Sequence, residues 1–130
     1  MIVVDASVLI AATKVADVHH ERALRFFATD ELLVAHPVTL GEYLVLPARL
    51  GRHNEAAALL REHLRVEQAA AAAAMDAIAP TRTAMLRAET GLKMPDVIVL
   101  SLALRLDASI ATFDDALHQV AEVRGLALAI

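Results

Sequence analysis

The opening residues Met1-Ile-Val-Val-Asp-Ala-Ser7 contain the pattern that decides the fold. Ile2, Val3 and Val4 are β-branched and are bounded at once by Asp5, which predicts a short buried strand rather than the start of a helix. Such a strand delivers the carboxylate of Asp5 to its own carboxyl end.

Strand-like and helical segments alternate along the rest of the chain. Further strands are predicted at 32–35, 78–79, 109–112 and 126–130. Helices are predicted at 17–28 with Asp17 as N-cap, from about Thr39, over 54–75, at 82–89 with Gly91 as the stop, and over 97–104 after Pro95-Asp96. This alternation predicts an α/β domain with a mostly parallel sheet, whose ligands lie beyond the carboxyl ends of the strands.

The composition predicts one small intracellular domain. The 130 residues suit a single compact domain covering 1–130. The chain has 16 acidic and 12 basic residues, a net charge of -4 and no basic run, so charge alone argues against high-affinity nucleic-acid binding. It has no cysteine, which excludes disulfides and thiolate metal sites. With no basic leader and no apolar span of ~20 residues, we expect a cytoplasmic protein that does not enter a membrane.

Four acidic residues stand at the edges of apolar segments spread along nearly the whole chain: Asp5, Glu42, Asp96 and Asp114. Asp5 and Asp114 follow predicted strands. Asp96 opens the apolar run 97–104, which a buried strand would also fit, although Pro95 favours a helix. Folding would bring these residues together into one acidic site.

Each of the four has a simpler alternative as a local cap. Thr39-x-x-Glu42 matches a capping box, in which the glutamate bonds back to the backbone of the cap. Asp96 suits the first turn of a helix, and Asp114-Asp115 suits the N-terminus of another. Asp5 could be a turn residue after its strand. One shared site accounts for all four together, whereas capping needs a separate reason at each position.

Clustered carboxylates need protons or cations. Two of them ~4 Å apart repel by about 4 kcal/mol at an effective dielectric of 20. Mg²⁺ and Mn²⁺ are hard cations that prefer oxygen ligands, and they leave positions open for phosphate oxygens. Two such ions would offset the net charge of -4 and make the site attractive to a polyanion.

These residues together resemble the PIN-domain ribonucleases, and among them the VapC-type toxins of bacterial toxin–antitoxin pairs. The segments similar to the four acidic motifs of the family are Ile2-Val-Val-Asp5-Ala-Ser7, Thr39-x-x-Glu42, Gly91-Leu-Lys-Met-Pro-Asp96 and Ala111-Thr-Phe-Asp114. The resemblance covers nearly the whole chain and implies a PIN-like three-layer α/β/α domain with a short, mostly parallel sheet.

Two features depart from the family pattern. Ala116 and Leu117 stand where the last motif often has an acidic and an aromatic residue, and 66–79 aligns with nothing.

The resemblance implies an endoribonuclease that uses Mg²⁺ or Mn²⁺ and acts as a toxin. Asp5, Asp96 and Asp114 would bind the metal, and Glu42 would bind it through water or help deprotonate the attacking water. Three residues would support these carboxylates: Ser7, Thr112 and Asp115. Cleavage would leave a 5′ phosphate and a 3′ hydroxyl. The implied partners are the RNA substrate, a VapB-type antitoxin whose tail covers the acidic site, and a second copy in a homodimer.

Three other classes of protein stay open. A PIN-like domain that has lost catalysis would serve as a binding module. A receiver or phosphoryl-transfer α/β domain also places an aspartate after its first strand, but it needs a second aspartate two residues later, where this chain has Ser7. An unrelated α/β protein could use all four carboxylates as caps. His19 and His20 are predicted to be surface residues, because on a helix they point about 100° apart and no HExxH pattern occurs.

Overall fold

A computed structural model describes all 130 residues and places a four-stranded sheet at the centre of the molecule. The strands are β1 (Ile2–Val4), β2 (Leu33–Ala35), β3 (Val66–Gln68) and β4 (Ser109–Ala111). They lie in the order β3-β2-β1-β4, and every neighbouring pair is parallel. The central strands β1 and β2 are buried along their whole length, as their continuous apolar sequence predicts.

Four helices cover each face of this sheet. One layer contains α1 (Ala6–Thr13), α2 (His20–Phe26), α3 (Pro37–Arg49) and α4 (His53–Glu62), and the other contains α5 (Ala71–Ala77), α6 (Pro80–Thr90), α7 (Met94–Leu106) and α8 (Asp115–Val123). Strand side chains alternate between the layers: Val3 packs with the core of α5–α8, whereas Ile2 and Val4 pack with that of α1–α4. The predicted three-layer α/β/α fold with a parallel sheet is confirmed.

The carboxyl edge of the sheet collects the N-termini of several helices. Val4 pairs with Ala111 across β1 and β4, and the amide of Asp5 donates to the Ala111 carbonyl at 2.9 Å. Helices α1, α3 and α8 follow directly on strands and therefore begin at this edge. Helix α7 leads into β4 and runs back along the sheet, so its N-terminus lies at the same edge.

The predicted helix over 54–75 is wrong, because β3 divides that segment into α4 and α5. Pairing of β3 with β2, in the register Leu33↔Val66, prevails over the local helix propensity. The strand predicted at 78–79 is also wrong. Ile78 and Ala79 join α5 to α6, and Ala79 is extended (φ -53°, ψ 129°) because it precedes Pro80.

Other boundaries shift by a few residues. Helix α2 begins at His20 rather than at 17, and Val18, predicted on its apolar face, is 90% exposed. Asp17 does not cap α2, since its Oδ1 accepts from the amide of His19 at 2.8 Å in the preceding turn. The segment 126–130 forms a single bridge, between Ile110 and Leu128, and no strand.

The buried helix predicted over 97–104 is confirmed as part of α7, and Gly91 ends α6 in a left-handed conformation. No helix of the protein combines the length and the apolar character that a membrane span requires.

Candidate acidic site at the carboxyl edge of the sheet

Asp5 is the buried centre of the acidic site. It is 6% exposed, and it lies between the end of β1 and the start of α1, which it caps. Its Oδ2 accepts hydrogen bonds from the Ser7 hydroxyl at 2.5 Å and from the Thr112 hydroxyl at 2.9 Å. Its Oδ1 accepts no hydrogen bond from the protein. One oxygen is thus held in place while the other is left without a protein partner.

Ser7 and Thr112 connect the carboxyl ends of β1 and β4. The Ser7 hydroxyl accepts from the amide of Phe113 at 3.0 Å, and the Thr112 hydroxyl accepts from the amide of Asp114 at 3.0 Å. Each hydroxyl therefore donates to Asp5 and accepts from the loop after β4. The parallel register of β1 and β4 makes this possible, because it sets Asp5 beside Thr112.

Asp114 and Asp96 reach the site from helix N-termini. Asp114 is the N-cap of α8, and its Oδ1 accepts from the amide of Leu117 at 2.8 Å. Asp96 lies in the first turn of α7, three residues after the N-cap Lys93. With Asp5 at the start of α1, three helix N-termini meet at the acidic residues, and their positive dipole ends stabilise negative charge there. The capping role of Asp114 is therefore real and coexists with its place in the site.

Glu42 is not part of a capping box. Helix α3 begins at Pro37 rather than near Thr39, and its N-cap is His36, whose Nδ1 accepts from the amide of Val38 at 3.0 Å. Glu42 therefore lies in the second turn, beyond reach of the cap. The Thr39 hydroxyl is buried with no hydrogen-bond partner. The capping-box alternative for Glu42 is wrong.

The charges of the four carboxylates act on one another. Burial raises the pKa of Glu42, and the charges of Asp5 and Asp96 raise it further. Burial also raises the pKa of Asp96, as do the charges of Asp114 and Asp5, while the charge and backbone of Lys93 lower it in part. These couplings join all four residues into one cluster.

The donor set of the cluster suits a hard divalent cation, because every ligand candidate is a carboxylate oxygen. No three acidic or histidine side chains in the protein are already arranged so that they would hold a metal ion. Nevertheless, Oδ1 of Asp5 accepts no hydrogen bond from the protein, and a bound cation would offset the burial and repulsion that raise the pKa values of Glu42 and Asp96. Asp5, Asp96, Asp114 and Glu42 are thus the residues that would hold such an ion.

Asp115 stands apart from the network. It is exposed, lies in the first turn of α8, and makes no hydrogen bond to the residues of the site. An open cavity of about 830 Å³ also lies apart, between α3, α4 and the free edge of β3. A second, about 630 Å³, includes Glu42 in its wall.

An aromatic stack beside the cluster has no counterpart in the sequence analysis. The rings of His19 and Phe113 stack at 4.2 Å with 11° between their planes, so His19 is half-buried rather than a free surface residue. The Arg22 guanidinium lies 5.6 Å from the Phe113 ring centre. The chain has only three Phe and one Tyr, and Phe113 lies within the motif Ala111-Thr-Phe-Asp114. An aromatic residue that is rare in the chain and stands beside Asp114 is the signal that could have pointed to this stack.

Solved structures with a similar fold include bacterial toxins. VapC20 of Mycobacterium tuberculosis, a sarcin–ricin loop cleaving toxin, is 21% identical over 92% of this chain and 95% of that chain, with a TM-score of 0.69. A toxin–antitoxin complex from Klebsiella pneumoniae is 19% identical over 100% and 98%, with a TM-score of 0.73. FitAcB from Neisseria gonorrhoeae is 16% identical over 98% and 96%, with a TM-score of 0.67. At these identities the likeness shows the fold alone.

No curated protein matches the chain. The family model of the PIN domain matches residues 2–123, which include all four carboxylates and the hydroxyls of Ser7 and Thr112. The chain belongs to the PIN domain family.

Proposed function

We propose that this protein is a Mg²⁺- or Mn²⁺-dependent endoribonuclease that hydrolyses RNA phosphodiester bonds and acts as the toxin of a toxin–antitoxin pair. The observation that carries the proposal is the placement of Asp5, Asp96 and Asp114 at the carboxyl edge of the sheet, where Thr112 joins the Asp5 carboxylate to the amide of Asp114; the charges of Asp5 and Asp96 also act on Glu42. Asp5 and Asp114 are 109 positions apart in the sequence, yet the fold brings them to the same edge. The chain belongs to the PIN domain family, and a structure with a similar fold is that of a sarcin–ricin loop cleaving toxin.

Asp5, Asp96 and Asp114 would hold the metal, with Glu42 beside them. When bound, a divalent ion lowers the pKa of a water ligand and stabilises charge on a phosphate. The chain's own residues supply orientation: Ser7 and Thr112 fix Oδ2 of Asp5, so Oδ1 keeps one direction. The side chain of Glu42 is only partly covered. This partial burial and the charges of Asp5 and Asp96 raise its pKa, which suits it to accept a proton from the attacking water.

The same proposal includes two protein partners. One would be a VapB-type antitoxin that covers the acidic site. Toxin–antitoxin complexes among the similar structures support a partner of this kind. The full chain, 1–130, would act as one domain and pair with a second copy. Leu46 and Leu50 on the outer side of α3 are 61% and 65% exposed, which supports a protein contact there.

The test is inducible expression in a bacterial host, followed by mapping of new 5′-phosphate RNA ends. Wild type is compared with Asp96→Asn and with the control Asp30→Asn, which makes the same chemical change at an exposed residue before β2, at the opposite edge of the sheet. We expect new ends at a few defined sites with wild type and Asp30→Asn, and a loss of at least about 100-fold with Asp96→Asn, as for removal of a group that stabilises the transition state.

If no new RNA ends appear, calorimetry with Mn²⁺ on the same purified proteins shows whether the host lacks the target RNA or the protein lacks the activity. Binding of Mn²⁺ by wild type without new RNA ends would mean that the host lacks the target. Soluble wild type that neither cleaves RNA nor binds Mn²⁺ would refute the enzyme and leave a binding module.

A further inference from the structure

Strand β3 lies at one edge of the sheet, and part of its backbone is unpaired. The order β3-β2-β1-β4 leaves one side of β3 without a neighbouring strand. The amide of Ala69 donates to the Ala35 carbonyl after β2 at 2.9 Å, so the backbone groups of Glu67, two residues earlier, also face β2. The amides and carbonyls of Val66 and Gln68 therefore point away from the sheet, where they are available to an added strand.

The cavity of about 830 Å³ between α3, α4 and β3 lies beside these backbone groups. Val66 is buried in the core of the α1–α4 layer, and side chains alternate across a strand, so Gln68 faces the same side. The wall of the cavity is apolar where it includes Leu40, Leu44 and Leu60. A strand added beside β3 would therefore place every second side chain against this wall.

The wall of the cavity carries a net positive charge, in contrast to the chain as a whole. Its charged residues are Arg61, Arg65 and Glu67, two positive and one negative, whereas the chain has a net charge of -4. Arg61 lies in the last turn of α4 and Arg65 directly precedes β3, so the positive charge lies at the amino end of the strand. Leu40, in the first turn of α3, lies towards its carboxyl end.

Arg65 has a backbone conformation that favours glycine. Its φ of +54° is in the left-handed region, which ends the extended backbone one residue before Val66. Its Nη2 donates to the carbonyl of Thr29 at 2.8 Å, which holds the guanidinium beside the amino end of β3. The other guanidinium nitrogens make no hydrogen bond or ion pair within the protein, so they can bind a carboxylate.

We propose that the edge of β3 binds an extended segment of another protein, which adds a fifth strand to the sheet. The segment has an acidic side chain that contacts Arg61 and Arg65 and, two residues away, an apolar side chain that packs on Leu40 and Leu44. The residue between them lies opposite Glu67, where a basic side chain gives a favourable pair. This inference goes beyond the proposed ribonuclease and does not depend on it.

A second copy of this chain does not have the chemistry that the edge requires. If two β3 strands paired antiparallel through all the outward groups of Val66 and Gln68, the two copies of Glu67 would lie directly opposite each other. Like charges in that position destabilise a strand pair. The left-handed turn at Arg65 prevents a pairing that extends further in the amino-terminal direction. The occupant is therefore a different chain, with a basic residue where β3 has Glu67.

The test is a peptide titration of the labelled full-length protein, followed by NMR. Two probes contain the three side chains in opposite orders, acetyl-Ser-Thr-Glu-Lys-Val-Thr-Ser-amide for a parallel strand and acetyl-Ser-Thr-Val-Lys-Glu-Thr-Ser-amide for an antiparallel one. A control peptide of each order has Gln in place of Glu. The order that binds more tightly gives the direction of the added strand.

We expect one probe to bind with a dissociation constant below about 1 mM. In the complex, hydrogen exchange should slow at the amides of Val66 and Gln68, because these groups then bond to the peptide. The amide of Ala69 already bonds to Ala35, so its exchange should be slow with and without peptide. This alternation distinguishes an added strand from a peptide that only fills the cavity.

Replacement of Gln68 by proline removes an outward amide and leaves the bonds to β2 in place. Gln68→Pro should therefore keep a melting temperature close to that of wild type, as proline is tolerated on an edge strand at such positions. It should weaken peptide binding by about tenfold or more, through the lost hydrogen bond and the ring that takes its place. Gln68→Ala, which keeps the amide, is the matched control and should bind like wild type.

A charge cycle tests the same site without altering the backbone. Arg61→Gln should weaken binding of the Glu probe by about two- to fivefold and leave the affinity for the Gln peptide unchanged. Arg82→Gln, at an exposed arginine of α6 in the other layer, should change neither affinity.

The proposal would be overturned by the absence of binding of both probes up to about 1 mM. Binding without slower exchange at Val66 and Gln68 would also overturn it, because the peptide would then lie elsewhere on the protein. Neither result bears on the ribonuclease, since none of the four carboxylates of the acidic site takes part.

Discussion

The two carboxylate oxygens of Asp5 have different surroundings. Oδ2 accepts hydrogen bonds from Ser7 and Thr112, while Oδ1 accepts none from the protein and is left free for another ligand. The sequence already indicated all three residues, because Ser7 and Thr112 stand in the motifs around Asp5 and Asp114. The sequence did not show that both hydroxyls bond to the same oxygen of Asp5. The register of β1 and β4 decides this, because it sets Thr112 beside Asp5.

At this scale the raised pKa values predict how the metal-free protein responds to pH. The pKa values of Asp96 and Glu42 are raised above their ordinary values of 3.8 and 4.5. The folded state therefore binds protons that the unfolded state has already released, so these two groups make the free energy of unfolding fall as pH rises through that window. Above the folded pKa values this destabilisation is fully present.

Asp96→Asn and Glu42→Gln should therefore each raise the melting temperature in EDTA at pH 7, by roughly 1–3 °C. The difference from wild type should shrink towards pH 4, where wild type regains its protons. Differential scanning calorimetry over this pH range measures it, with Asp30→Asn as the matched control. A variant that melts lower than wild type at pH 7 would mean that these carboxylates stabilise the empty site.

At the scale of elements, the positions where helices begin and end decide where the acidic residues lie. Gly91 ends α6 with φ +69°, and this leads the chain into Lys93 and Asp96 at the start of α7. Gly41 has a different role, since it lies inside α3 and a Cβ placed there would meet no atom within 4 Å. Glycine is therefore needed at position 91, where φ is positive, and is not needed at position 41 inside the helix.

Replacement of these two glycines by alanine should have opposite effects on stability. Gly41→Ala should raise the free energy of unfolding by about 0.5–1 kcal/mol, because it removes helix-interior flexibility without a clash. Gly91→Ala should lower it by about 1–2 kcal/mol, because alanine is strained in the left-handed conformation. Urea denaturation of the two variants measures both, and effects of the same sign would contradict the assigned end of α6.

At the scale of the whole molecule, the fold concentrates negative charge that it does not neutralise. Four carboxylates, from the end of β1, from α3, from α7 and from the loop after β4, lie at one edge, and none of them forms an ion pair. A protein of this kind gains stability when a divalent cation binds the folded state and not the unfolded chain.

Mn²⁺ at about 100 times its dissociation constant should therefore stabilise wild type by about 2.7 kcal/mol, a rise of several degrees in melting temperature. The effect should be lost in Asp96→Asn and reversed by EDTA, and it should persist in Asp30→Asn. Equal stabilisation of wild type and Asp96→Asn would place the bound ion away from the acidic cluster.

The sequence by itself determined the strands β1, β2 and β4, the buried helix α7 and the four acidic residues, because each has a local signal: an apolar run, a proline, or a carboxylate at the end of an element. Only the tertiary structure decided the position of β3, the separation of α4 from α5, and the hydrogen bonds that Ser7 and Thr112 donate to Asp5. Helix propensity is local, whereas strand pairing with β2 is not, and Val66 is buried only when that pairing forms. The bond from Thr112 to Asp5 likewise joins residues 107 positions apart, and no local pattern encodes such a contact.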